Sequence, residues 1–237
     1  MLILENEFLA VRINHKGAEL SSLFNKLNGL EHLWQADPSV WAFHAPNLFP
    51  VVGNCINNQI QIEGISYPMQ RHGFARHSDF IMTDSSADHA VFTLDFSEST
   101  LAVYPYKFSL QISYKLMDTE LCVNYRVINQ DDKPILFSIG AHPAFNIPFF
   151  QDGTYDDYYI EFDRDEVLVK HLFNAAGFFN GDTEPLIIVD KRLNLSKDLF
   201  KEGALVFKKL LSREVLIRNH KTPNFISVSF PDFDALG

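Results

Sequence analysis

Single alternation of apolar and polar residues is the dominant pattern along this chain, and it is the two-residue period of a strand with one face in a core. From Phe108 to Leu116 the odd-numbered positions Ser109, Gln111, Ser113 and Lys115 are polar, while Phe108, Leu110, Ile112, Tyr114 and Leu116 fall on the opposite face. Leu121, Val123, Tyr125 and Val127 repeat the pattern after Asp118-Thr119-Glu120, which predicts an antiparallel hairpin turning at those three residues. Ala90, Phe92, Leu94 and Phe96 alternate with Thr93, Asp95 and Ser97 in a further strand reaching Glu98. Shorter strands are expected at Leu9–Ile13, Ile135–Ile139, Tyr158–Phe162, Val215–Ile217 and Phe225–Phe230. Helical spacing is scarce, and Ser196 before Lys197-Asp198-Leu199-Phe200 caps at most one turn. Many strands, few helices and turn residues every ten or so positions predict an all-β, antiparallel β-sandwich.

With 46% hydrophobic residues, the 237-residue chain has enough apolar bulk for one substantial core, so a single domain over 1–237 is expected. A formal net charge of −10 opposes loose attraction to phosphate backbones or anionic lipid, which excludes nucleic acid and membrane as general partners and leaves small phosphorylated ligands open. Cys55 and Cys122 form no CxxC and no framework, so both read as buried small hydrophobes in a reducing compartment. The start of the chain lacks the basic and apolar regions of a signal peptide, and no run of about 18 apolar residues occurs, so a cytoplasmic protein is expected. Nothing in the pattern specifies an oligomeric state.

Two segments break the alternation, Trp34 to Phe80 and Ile139 to Pro148, and both set Pro and Gly beside His, Arg and Asn. That composition suits loops and strand ends that support a site. His72 lies in Gln70-Arg71-His72-Gly73-Phe74-Ala75-Arg76-His77, where a glycine permits close backbone approach and two arginines supply planar donor forks. His142 lies in Gly140-Ala141-His142-Pro143-Ala144-Phe145-Asn146, after an apolar stretch and before a proline that ends pairing. With nine histidines present, any one alone reads as an ordinary packing histidine. No H-E-x-x-H, Cys pair or Gly-x-Ser-x-Gly occurs, so no metal, no cofactor and no activated nucleophile is expected.

The run Trp34-Gln35-Ala36-Asp37-Pro38-Ser39-Val40-Trp41, then Ala45 to Gly53, then Tyr67 to Arg76, resembles the aldose 1-epimerase family, more narrowly its LacX-like branch. Gly140 to Asn146 resembles that family's second histidine motif, and Leu199-Phe200 through Phe207 a further segment of it, so the likeness runs in order along essentially the whole chain. The resemblance implies a galactose-mutarotase-like β-sandwich whose concave sheet holds a hexose. It also implies an isomerase that interconverts α and β anomers through an open-chain aldehyde. On this resemblance His142 is the acid at the ring oxygen, His72 hydrogen-bonds the sugar near the reacting centre, and Arg76 binds a hydroxyl or a charged substituent. Asn54 stands where relatives commonly carry an arginine, and Glu202-Gly203-Ala204 where they often carry Asp-Ala. The family's basic glutamate falls beyond Leu236-Gly237, so these residues are expected to bind sugar and turn it over weakly, with Asp232 and Asp234 as the acids near the end. Two other readings stand beside this one: a hexose-6-phosphate 1-epimerase that directs Arg71 and Arg76 at a phosphate, and a non-catalytic carbohydrate-binding protein.

Overall fold

A computed structural model describes residues 1–149 and 153–237. Within it the chain divides into two compact units, Met1–Asn146 and Ile147–Gly237. The first unit carries two antiparallel meanders. One runs Leu2–Glu5, Leu9–Ile13, Leu20–Asn25 and Leu30–Glu31, in that spatial order. The other runs Ile81–Ser85, His89–Asp95, Phe108–Met117 and Glu120–Asn129. The alternation predicted between Phe108 and Leu116 is what the core uses: Phe108, Leu110 and Ile112 are fully buried, with Tyr114 and Leu116 nearly so. Each such side chain removed from water stabilises the fold by about 1.5–3 kcal/mol. They pack in one cluster with Leu4, Val11, Ile13 and Phe92 from the neighbouring strands.

Three expectations for this unit are corrected. The strand predicted to reach Glu98 stops at Asp95, because Ser97 caps a short helix, Glu98–Leu101. Thr100 N–H donates to Ser97 Oγ at 3.3 Å and Ser97 N–H to Thr100 Oγ1 at 2.8 Å, which satisfies two donors that a strand would have left to the ladder. Ile135–Ile139 forms no strand. Ser138 N–H donates to Pro50 O at 2.8 Å, but proline has no N–H to return the bond, and the Leu136 carbonyl is taken by Tyr104 Oη at 2.8 Å. Cys55 and Cys122 are free thiols, as expected, but half-buried rather than buried. A hairpin absent from the pattern reading joins Gln59–Ile62 to Ile65–Pro68. Its two loop residues, Glu63 and Gly64, both have positive φ, the tight turn that matches strand twist.

In the second unit, Arg192–Asn194, Tyr158–Phe162, Glu214–Asn219 and Phe225–Ser229 form an antiparallel sheet in that order. Phe162, Leu193, Val215 and Phe230 bury its core, and the Leu168–Phe173 strand pairs with Phe179–Leu186. Ser196 caps the single turn Lys197–Phe200 as its sequence predicts, accepting from Leu199 N–H at 3.3 Å. Among the described residues no helix is long and apolar enough to cross a membrane.

Candidate functional site

The His72 loop is shaped by a backbone approach that admits only glycine. Gly73 pairs with Phe49, and a Cβ on Gly73 would stand 2.1 Å from the Phe49 carbonyl oxygen and 2.7 Å from Pro50 N. Its φ of +74° is likewise a glycine conformation. Phe74 and Ala75 N–H groups both donate to Phe49 O, at 3.0 and 3.2 Å. Phe49 itself is fully buried against Phe74, Tyr104 and Phe108, so the loop rests on the aromatic core. The turn forces His72 to a φ of +68°, a strained conformation for a residue with a Cβ.

The chain before it is pinned just as firmly. Asn47, buried, donates through Nδ2 to the carbonyls of Gly17 at 2.9 Å and Ala18 at 3.1 Å, and Oδ1 accepts from Tyr125 Oη at 2.6 Å. Gly140 and Ala141 pair with Leu48 and Asn47. Beyond His142, Ala144 N–H donates to His44 O at 2.9 Å, Trp34 N–H to Ala144 O at 2.9 Å, and Asn146 N–H to His32 O at 2.8 Å. His142 therefore projects from a short segment held on both sides.

These supports bring the two histidine rings together, with centroids 6.0 Å apart and planes 75° to one another, although the residues lie 142 − 72 = 70 positions apart. Arg71 is exposed, with Nε 3.1 Å from His72 Nε2, and Arg76 donates through Nη2 to the Arg71 carbonyl at 2.9 Å. Asn54, half-buried, follows Gly53, whose backbone holds His72 from both ends. His72 N–H donates to Gly53 O at 2.9 Å and Gly53 N–H donates to His72 Nδ1 at 3.0 Å. A neutral imidazole accepts at one nitrogen only. The backbone pair fixes Nδ1 as the acceptor, so the proton is on Nε2, and the exposed Arg71 side chain is the partner that gives way.

Burial, then the charges of Arg71, Arg76 and His142, push the His72 pKa down to about 4. His142 is lowered too, by burial first, with Arg71 and Arg76 adding to it against a backbone hydrogen bond that raises it. Burial and Arg71 lower Arg76, whose Nε is buried with no hydrogen-bond partner among the described residues. At neutral pH the cluster is thus two uncharged imidazoles under two guanidinium groups, rich in donors that suit hydroxyl and ring oxygens.

The pattern reading did not single out Trp41 and Phe43. The Trp41 ring lies 4.9 Å from that of His142, tilted by 39°, and the Arg76 guanidinium sits 5.0 Å over Phe43. Trp41 ends a turn set by Asp37, and its carbonyl accepts from Trp34 Nε1 at 2.8 Å. Asp37, Pro38 and Trp41 stand close together in the sequence, but no period there says which way the ring faces.

The fold is the antiparallel β-sandwich of the galactose mutarotase-like class, shown by its likeness to solved structures. A galactose mutarotase-like protein from Lactobacillus casei ATCC 334 is 33% identical, with a TM-score of 0.93, 99% of this chain and 81% of that one being covered. A galactose mutarotase related enzyme from Lactobacillus acidophilus is 31% identical, with a TM-score of 0.90, covering 95% of this chain and 75% of that one. The aldose 1-epimerase family matches residues 1–235, and the chain belongs to it. Protein LacX of Lactococcus lactis subsp. lactis, in plasmid and chromosomal forms, is 33% identical over 98% of this chain and 80% of its own length.

Proposed function

We infer that this chain is a cytoplasmic aldose 1-epimerase of the LacX-like branch, acting on a hexose at the cluster of His72, His142, Arg71 and Arg76. The observation that carries this reading is the approach of the two rings to 6.0 Å from motifs far apart in sequence. Unrelated packing histidines would have no reason to converge. In the reaction a base takes the proton of the C1 hydroxyl, the C1–O5 bond breaks, and an acid delivers a proton to O5. Rotation about C1–C2 and reclosure on the other face of the aldehyde give the second anomer. His142 is the acid at O5. His72 donates from Nε2–H to a sugar oxygen beside the reacting centre, in the tautomer that Gly53 supports. Arg76 and Arg71 hold hydroxyls, and Asn54 contributes an amide to the same rim.

Sugar binding with little turnover is a second reading, favoured by one observation. Among the described residues no ion pair joins a carboxylate to Arg71 or Arg76. Polarimetry on freshly dissolved α-glucose or α-galactose tests the main reading against protein-free buffer and a His142→Ala variant. Acceleration that His142→Ala abolishes supports it; identical rates in all three sink it.

A further inference from the structure

His44 takes no part in the reaction described above, yet three segments of the site meet at it. Ala144 N–H donates to His44 O at 2.9 Å, His44 Nδ1 lies 2.7 Å from Trp34 O, and Trp34 N–H donates to Ala144 O at 2.9 Å. The bonds close a ring through residues 34, 44 and 144, and the His44 imidazole is the one side chain in it. We propose that His44 is a positioning residue, whose imidazole fixes the backbone that carries His142 and the loop that carries Trp41. This rests on the reading that His142 acts on a sugar.

Three observations carry the proposal. The first is that a regular ladder does not hold this stretch. Gly140 and Ala141 pair with Leu48 and Asn47, but Pro46 and Pro143 have no N–H with which to continue the pairing. The His44 N–H, which a ladder would return to Ala144, is taken by Glu19 Oε1 at 2.8 Å. Glu19 Oε1 also accepts from Ala45 N–H at 3.1 Å, and charge-assisted bonds to two successive amides anchor the His44 backbone. The second is the chemistry of the ring. A carbonyl oxygen only accepts, so the neutral His44 ring carries its proton on Nδ1, and the bond to Trp34 persists whether or not Nε2 is protonated. The clamp therefore holds through the pH range in which the histidines it serves change charge. The third is reach. His142 stands two residues before Ala144, and Trp34 also donates through Nε1 to Trp41 O at 2.8 Å. A displacement at Trp34 is thus felt on both sides of the 4.9 Å contact between the Trp41 and His142 rings. His72 is held by Gly53 instead, through bonds outside the ring of three. Loss of the His44 imidazole should accordingly fall on His142 and spare His72.

The test is NMR of the 237-residue protein with labelled histidines, with polarimetry beside it. In the unaltered protein the neutral His44 ring should show the Nδ1–H tautomer; the Nε2–H tautomer overturns the proposal without any variant. In His44→Ala the His142 ring signals should lose the ring-current shift imposed by Trp41, and the His142 midpoint should rise toward 6.5 while His72 still titrates near 4. The retained His72 midpoint shows that the variant folds. His44→Asn, whose Nδ2–H stands near the place of the Nδ1–H, should restore the unaltered His142 signals. His142 signals that do not move in His44→Ala overturn the proposal, as does a change that His72 shares equally or that asparagine does not reverse. Where the alanine variant fails to fold, His44→Gln, which keeps the bulk and displaces the donor, is read by the same criteria. With freshly dissolved α-glucose, His44→Ala should lower kcat about ten- to a hundredfold and leave KM within a few-fold, the usual cost of an acid displaced by about an ångström. An unchanged kcat overturns the proposal. Absence of exchange in the unaltered protein overturns the epimerase reading alone, because the NMR criteria do not depend on turnover.

Discussion

His72 carries more constraints than any other residue of the cluster: a positive φ, a ring nitrogen committed to a backbone amide, and two arginines nearby. Its pKa of about 4 has a consequence for stability. Below about pH 6.5 the unfolded chain takes up a proton that folded His72 refuses, so the stabilisation present above that pH is lost progressively as pH falls toward 4. Nitrogen-detected NMR should find the Nε2–H tautomer, with the ring neutral down to about pH 4. In Arg71→Gln the midpoint should rise, since Arg71 is the largest cause after burial; a ring that titrates near 6.5 in the unaltered protein refutes the cluster's electrostatics. His142 obeys the same logic with a kinetic readout. Its pKa lies below 6.5, so imidazolium is the minor form at pH 7. An acid working from that form makes kcat/KM fall as pH rises through neutrality, and Arg71→Gln should move this limb to higher pH. Sequence singled out both histidines through the motifs that carry the family resemblance, His72 beside Gly73 and two arginines and His142 between Gly140 and Pro143. It was blind to Trp41 and Phe43, because an aromatic ring in an irregular loop carries no period that says which way it faces.

At the scale of single elements, strands that bury one face were readable to within a residue or two. Leu9–Ile13 and Tyr158–Phe162 have the bounds their alternation predicts, and Phe108–Met117 runs one residue past it. Elements decided by local hydrogen bonds were not readable in this way. The Ser97 cap overrode an alternation that continued to Phe96, and the proline at position 50 denied Ile135–Ile139 a ladder partner. The same distinction sorts the loop mutants. Gly73→Ala places a methyl 2.1 Å from one backbone atom and 2.5 Å from another, neither of which can rotate away. It should destabilise the fold by about 3 kcal/mol or more in urea unfolding, with sugar affinity lost alongside. Asn47→Ala removes the Nδ2 donor to the Gly17 carbonyl, one of the two donors to the Ala18 carbonyl, which Tyr114 Oη still serves at 2.6 Å, and the acceptor of the Tyr125 hydroxyl, which together should cost about 2–4 kcal/mol. If Asn47→Ala unfolds at the unaltered denaturant midpoint, the buried network does not anchor the segment that pairs with Gly140 and Ala141.

For the molecule as a whole the contrast is between a net charge of −10 and a cluster whose nearest charged side chains are both arginines. Thirty acidic residues are present, yet among the described residues none forms an ion pair with Arg71 or Arg76. Asp232 and Asp234 belong to the second unit and are exposed there. Hydroxyl recognition by His72 and Arg76 is an equilibrium contact that needs only donors, whereas proton removal from C1 needs a base within hydrogen-bond reach. Binding and turnover should therefore separate in this chain. A hexose should bind by calorimetry, while polarimetry should show exchange weaker by about 10²–10⁴ than a base held at C1 would give, the usual cost of a base out of reach. His142→Ala should reduce the exchange that remains and leave hexose affinity within a few-fold, because its loss removes one donor among several. Should polarimetry instead show fast exchange that His142→Ala slows, a base already reaches C1, and binding and turnover do not separate.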